Sequence, residues 1–197
     1  LTLGYLLLLD GMDEDDSEYG TRAARVLAGC RERGILTAVD VVSEDSDRFA
    51  RIVTPALAHV DYLVINEIEA ARTTGTELRG GETLDRGALE RAASLLLDNG
   101  VKQAVVIHTP EAAFGLTASS EATWRAAHTL PDGFIRGSAG AGDAFFAGMV
   151  AGVYEGWGLG ESLRFANAAA ASCLRHPTCS GGVGDAAEIR ELADSLP

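Results

Sequence analysis

The 197 residues are 47% apolar and 23% charged, enough for one sizeable domain with a proper hydrophobic core and unlike a disordered chain. The 16 Lys and Arg stand against 29 Asp and Glu, and the net charge of −13 argues against nucleic acid or an anionic membrane surface as a partner. A phosphorylated ligand stays open, because a local nest of backbone N–H groups binds an anion even on an acidic protein.

In chain order, Leu1 to Asp10 is too short to span a bilayer, lacks the basic flank of a signal peptide and reads as a buried strand. Without an initiator methionine, the chain is expected to begin inside a larger protein. Acidic Asp13 to Asp16 reads as a solvated loop before a helix over Ser17 to Arg33, which Gly34 stops. Alternation follows: strand Ile35 to Val42, helix Asp47 to Ala58, strand Tyr62 to Ile65, and helix Glu67 to Thr74 ending at Gly75. Leu89, Ala92, Ala93 and Leu96 give Leu84 to Asn99 helical spacing, and Gln103 to His108 is an apolar strand. This order predicts an α/β fold, a mainly parallel sheet with helices on both faces. Phe114 to Phe134, with its Pro131-Asp132-Gly133 turn, reads as an antiparallel edge, and the remainder as helices over Ala141 to Glu155, Glu161 to Leu174 and Ala186 to Leu196. Neither a repeat nor an interdomain linker is visible, so residues 1–197 are taken as a single α/β domain. Cys30, Cys173 and Cys179, an odd set without a dense framework, fit a reducing cytoplasm.

The stretch Gly137-Ser138-Ala139-Gly140-Ala141-Gly142-Asp143 immediately precedes a helix. Small residues allow close approach of a ligand, and the helix start presents unpaired N–H groups and the positive dipole end, a setting for an anion. A carboxylate beside a phosphate repels it, so Asp143 points to a task such as taking a proton from an attacking hydroxyl. Neither the Walker pattern nor the dinucleotide fingerprint is present, and a glycine turn that merely connects two elements is the plain alternative. Asn66 and Glu69 fall where the strand from Tyr62 ends, and ligands bind at such ends; the plain alternative there is an Asn cap with Glu in the first helical turn.

The string Gly140-Ala141-Gly142-Asp143-Ala144-Phe145 resembles the C-terminal signature of the ribokinase-like sugar kinases, the PfkB family, and the resemblance runs over nearly the whole chain. It implies that Asp143 is the catalytic base, with Gly140, Ala141 and Gly142 forming the anion hole. It implies that Asn66 and Glu69 are the phosphate and magnesium motif, Glu69 acting on the metal through water. Thr109 is implied beside the nucleotide phosphates and Asn167 near the adenine. The implied activity is ATP-dependent phosphorylation of a sugar hydroxyl, with ATP and Mg2+ as the small molecules required, a cytoplasmic setting and no nucleic-acid or membrane partner. Most of the sugar-contacting shell and the lid strands belong to the N-terminal portion in this family, so the chain alone is expected to be inactive, and a homo-oligomer stays open because the lid often mediates dimerisation.

The sequence departs from the family at two places. Pro110 and Ala113 replace glycines of the turn near the nucleotide, and Gly137 stands where an aspartate helps bind a monovalent cation, which puts potassium activation in doubt; carbonyls of Pro177 to Gly182 are the remaining source of ligands. A non-catalytic nucleotide-binding regulatory module on the same fold is the rival reading, and a phosphomethylpyrimidine-type kinase the alternative among enzymes. Cys173, His176 and Cys179 lack a fourth ligand and the Cys-x-x-Cys pairs of structural zinc sites. His108 is the histidine placed at a strand end. Trp124, Trp157, Phe145 and Phe146 are expected to pack.

Overall fold

The computed structural model describes residues 1–196. These form two compact units, the first comprising residues 1–108 with 115–122 and the second residues 109–114 with those from 123 onward. The first unit holds β1 (Thr2–Leu6), β2 (Asp15–Asp16), β3 (Gly20–Thr21), α1 (Arg22–Glu32), β4 (Ala38–Val41), α2 (Phe49–Leu57), β5 (Tyr62–Asn66), α3 (Glu67–Thr74), β6 (Arg79–Gly80), β7 (Thr83–Leu84), α4 (Arg86–Asp98) and β8 (Ala104–His108). Strands β9 (Ala112–Thr117) and β10 (Ala122–Ala126) cross the boundary, and α5 (Ala141–Glu155), α6 (Leu159–Leu174) and α7 (Ala186–Ser195) belong to the second unit. The main sheet has the order β1-β4-β5-β8-β9-β10.

Strands β1, β4, β5 and β8 of the first unit run parallel, and Thr2, Ala38, Tyr62 and Ala104 are aligned across them. Val39, Leu63, Val64, Ile65, Val105, Val106 and Ile107 are all buried. Such continuous burial means that both faces are covered, as the helix-strand alternation predicts. The buried residues of α1 (Ala24, Leu27), α2 (Ile52, Val53) and α4 (Leu89, Ala92, Ala93, Leu96) recur at helical spacing, and α4 lies against β8.

Among the helices and parallel strands, the largest departures from the sequence reading fall at three boundaries, the others moving by at most two residues. The opening strand stops at Leu6 rather than Asp10, because Tyr5 and Leu7 take positive φ values of 64° and 82° and Asp13 draws the N–H groups of Leu7 and Leu9 onto its carboxylate, each at 3.2 Å. Leu8 is consequently 62% exposed. The first helix begins at Arg22, not Ser17, since Thr21 caps it by accepting from the Ala24 N–H at 3.1 Å and the preceding residues form the small β2–β3 ribbon. The second parallel strand is confined to Ala38–Val41, with Ile35 and Leu36 exposed before it.

β9 and β10 are antiparallel: Thr117 N–H donates to Glu121 O at one end and Ala127 N–H to Glu111 O at the other, both at 2.9 Å. The expected edge is therefore present, although it ends at Ala126; the Pro131 turn follows it, closed by Phe134 N–H on Pro131 O at 3.0 Å. In the second unit α5 and α6 approach closely because a Cβ on Gly148 would lie 2.6 Å from Ala166 Cα and one on Gly152 would collide with Ser162 Oγ. Ala144, Phe165, Ala168, Ala169, Cys173, Ile189 and Ala193 make the core that joins α5, α6 and α7. Both tryptophans pack as expected, Trp124 against Phe114 at 4.8 Å and Trp157 edge-on to Phe165 at 5.2 Å between ring centroids.

Candidate functional site

In the first unit, Asn66 is both the last residue of β5 and the N-cap of α3. Its Oδ1 accepts from the N–H groups of Ile68 and Glu69, each at 2.9 Å, while the Glu69 carboxylate reaches back to the Asn66 N–H through Oε2 at 2.9 Å. This is a complete capping box. The same bonds hold both side chains rigidly at the end of a parallel strand.

The other carboxylate oxygen of Glu69, Oε1, accepts from Asn66 Nδ2 at 2.7 Å and from Ser43 Oγ at 2.8 Å, and Asn66 Nδ2 also donates to Ser43 Oγ at 2.8 Å. Glu69 is only 3% exposed. Burial pushes its carboxyl upward, an effect that the donors from Asn66 and Ser43 oppose. Ser43, two residues past β4, is a member of this cluster that sequence reasoning missed. A lone serine in an acidic loop 23 positions before Asn66 carries no local signal of it.

His108 ends β8 and lies in register with Asn66. Desolvation pushes its imidazole from 6.5 down to about 4. The folded chain therefore keeps His108 neutral, whereas the unfolded chain takes up a proton below about 6.5. Stability is expected to be full at neutral pH and to fall by up to about 3 kcal/mol between pH 6.5 and 4 through this group alone. Urea unfolding across that range checks this: His108→Gln should flatten the loss, and an unchanged pH slope would exclude His108 as its source.

In the second unit, Gly140 takes φ 83° and ψ 0° and begins α5, so Ala141, Gly142 and Asp143 are the first three helical residues. Their N–H groups precede the point at which intrahelical bonding starts, with Ala144 N–H the first to close on Gly140 O at 2.9 Å. Asp143 is exposed in this turn. The chain beyond α6 supports the turn. A Cβ on Gly137 would lie 2.9 Å from Pro177 Cα, and one on Gly140 2.9 Å from Cys179 Cα and nearer still to its carbonyl oxygen. Cys173, fully buried on α6, directs its thiol at Cys179 O at 3.0 Å and at Ala139 O at 3.5 Å. Burial raises its pKa, with the charges of Cys179 and Asp143 adding to the effect.

Thr109 and Asn167 are each anchored to the β9–β10 pair within this unit. The Thr109 hydroxyl accepts from Glu111 N–H at 3.1 Å and Ala112 N–H at 3.0 Å, Glu111 O receives Ala127 N–H at 2.9 Å, and Asn167 Nδ2 donates to Ala126 O at 3.0 Å. Both residues thus sit at the end of β10. Pro110 lies inside a turn that Thr109 closes with its own side chain, which accounts for a glycine being unnecessary there. His176 Nδ1 is engaged with Thr178 Oγ1 at 2.9 Å, and among the described residues no group of three or more His, Cys, Asp and Glu is placed to hold a metal. No helix among them is long and apolar enough to cross a membrane.

Polar groups at the ends of parallel strands, together with a glycine turn opening a 15-residue helix, define an α/β protein of the kind that binds ligands at its strand ends. The profile of the pfkB family carbohydrate kinases matches residues 10–184, and the chain belongs to this family. It is 29% identical over 193 residues to the ATP-dependent 6-phosphofructokinase isozyme 2 of Mycobacterium tuberculosis, covering 92% of this chain and 55% of that protein. Among solved structures, Arabidopsis thaliana ribokinase complexed with ribose and ATP is similar with a TM-score of 0.73 at 25% identity, over 87% of this chain and 51% of that one. Escherichia coli phosphofructokinase-2 in complex with potassium is similar with a TM-score of 0.69 at 18% identity, over 88% and 51%, and attests the fold. The fold is thus ribokinase-like, and the chain spans about half the length of the relatives it matches.

Proposed function

We propose that the chain carries the ATP-handling and proton-accepting part of a carbohydrate kinase. The observation that carries this reading is the turn at Gly140, which opens α5 with the N–H groups of Gly142 and Asp143 ahead of the first intrahelical bond, Ala141 N–H turned back onto Ser138 O at 3.3 Å, and an exposed aspartate in the same helical turn. Phosphoryl transfer needs little covalent chemistry from a protein; it needs positioning and stabilised negative charge. The N–H groups of Ala141, Gly142 and Asp143 stabilise the charge developing on the transferred group. Asp143 accepts the proton of the sugar hydroxyl as it attacks. Thr109 and Asn167 serve the nucleotide.

Glu69 would hold magnesium by way of bound water, and Asn66 would contact phosphate. The carboxylate oxygens of Glu69 are hard donors of the type magnesium and its bound waters take, so the residue present fits the ion. When bound, magnesium neutralises charge on the phosphates. The ATP and ribose held by the Arabidopsis ribokinase and the name of the mycobacterial relative support ATP and a sugar as the two substrates. The setting is cytoplasmic.

The chain spans about half the length of the relatives it matches, and on this reading the other half supplies most of the contacts that align the acceptor hydroxyl, an alignment that accounts for roughly 7–11 kcal/mol of a barrier. The chain alone is therefore expected to bind ATP weakly and to phosphorylate no sugar. Calorimetric titration with ATP and magnesium and a coupled assay across a panel of sugars check both halves. Turnover of any sugar by these 197 residues would place the acceptor site within them. A folded sample that ignores ATP would remove the kinase reading.

A further inference from the structure

The loop after β4 is fixed from two sides. Arg72 on α3 donates to Glu44 O and to Asp45 Oδ1, the latter at 3.0 Å, and its guanidinium lies 5.9 Å from the centre of the Phe49 ring. Arg48 binds Glu44 Oε1 at 2.9 Å and Leu7 O at 2.8 Å, tying the same loop to the end of β1. Ser43 begins this braced loop. Its hydroxyl closes a three-membered ring of hydrogen bonds with Asn66 Nδ2 and Glu69 Oε1, with edges of 2.7–2.8 Å.

We infer that Ser43 is the positioning residue of the metal-binding pair, setting the orientation of the Glu69 carboxylate and the Asn66 amide from the neighbouring strand. The inference rests on the proposed assignment of Glu69 to magnesium. The capping box fixes Oε2 through the Asn66 backbone, and Oε1 is held from the same residue by Asn66 Nδ2 at 2.7 Å. Ser43 adds the hold from outside α3, donating a second hydrogen bond to Oε1 while accepting from the amide, so Asn66 Nδ2 and Glu69 Oε1 each lose a partner when the hydroxyl is deleted. Groups that orient a metal-binding residue typically change metal affinity by about 10–100-fold.

The test compares ATP affinity with magnesium and in EDTA, by calorimetry on the full chain, for wild type and for Ser43→Ala, Ser43→Thr and Ser43→Val. In wild type, magnesium should strengthen ATP binding. Ser43→Ala is expected to lower that magnesium-dependent gain by about 10-fold, any loss through the Asn66 amide being common to both conditions and cancelling from the gain, and to be rescued by Ser43→Thr, which keeps the hydroxyl. Ser43→Val has the shape of threonine without its hydroxyl and should behave as the alanine variant does, which keeps the comparison should alanine fold poorly. A structural role alone would weaken binding equally with and without magnesium and would not separate threonine from valine; that result, or an unchanged gain in Ser43→Ala and Ser43→Val, overturns the inference. A wild-type chain that binds ATP with no magnesium-dependent gain overturns the metal assignment and this inference with it, before any substitution is made.

Discussion

In any form of the protein that phosphorylates a sugar, Asp143→Asn is expected to cut turnover by about 10²–10⁴-fold, the usual effect of losing a general base. Asparagine preserves the shape and the first-turn position in α5 but cannot take a proton at neutral pH. An acidic residue at a helix start also favours the dipole, so the substitution costs about 0.3–1 kcal/mol of helix stability. That cost acts on folding rather than on the barrier. Affinity separates the roles further. Removing a negative charge beside an anion site cannot weaken phosphate binding electrostatically, so ATP affinity measured by calorimetry should stay level or rise. Turnover matching wild type would return Asp143 to the helix-start role, and a loss of ATP affinity that tracks the loss of rate would make it a binding group.

What the sequence made legible was what is encoded over a few neighbouring residues. Helix α3 runs from Glu67 to Thr74 as read, because Asn66, Glu69 and Gly75 are a cap, a capping-box partner and a left-handed stop within ten positions. Helix α5 runs from Ala141 to Glu155 as read, bracketed by Gly140 and Gly156, both with positive φ. The end of β1 was not legible. Leu6 to Leu9 is uniformly apolar, and the break comes from the backbone at Tyr5 and Leu7 and from a carboxylate at Asp13, none of which changes the hydropathy pattern. The same holds for the site. Family resemblance located Asn66, Glu69 and the glycine turn as separate motifs, but Ser43 joins its cluster only through the register of β4 with β5, and Cys173 meets the glycine turn only through the packing of the segment after α6. Contacts between residues far apart in sequence belong to the fold, and no local pattern announces them.

Gly140→Ala is expected to give the largest structural effect of any single methyl group added to the turn. At φ 83° an L-residue costs roughly 1–2 kcal/mol. The new Cβ would also lie 2.9 Å from both the Cα and the carbonyl carbon of Cys179 and closer to its oxygen, so it meets backbone rather than a side chain that can swing away. That backbone is itself held by the Cys173 thiol at 3.0 Å, so either the first turn of α5 or the segment around Cys179 must move. Gly156→Ala supplies the control at the opposite end of the same helix: its φ is 72° and a Cβ there would meet nothing within 4 Å, so it carries the conformational cost alone. Urea unfolding should show Gly140→Ala less stable than Gly156→Ala by roughly 1–3 kcal/mol, the scale of overpacking in a close-fitted site. ATP calorimetry should show a fall in affinity for Gly140→Ala and none for Gly156→Ala, because only the first displaces the N–H groups of Ala141 and Gly142. Equal stability for the two variants would mean that the segment around Cys179 yields freely. Unchanged ATP binding in a folded Gly140→Ala chain would mean that the nucleotide does not use this turn.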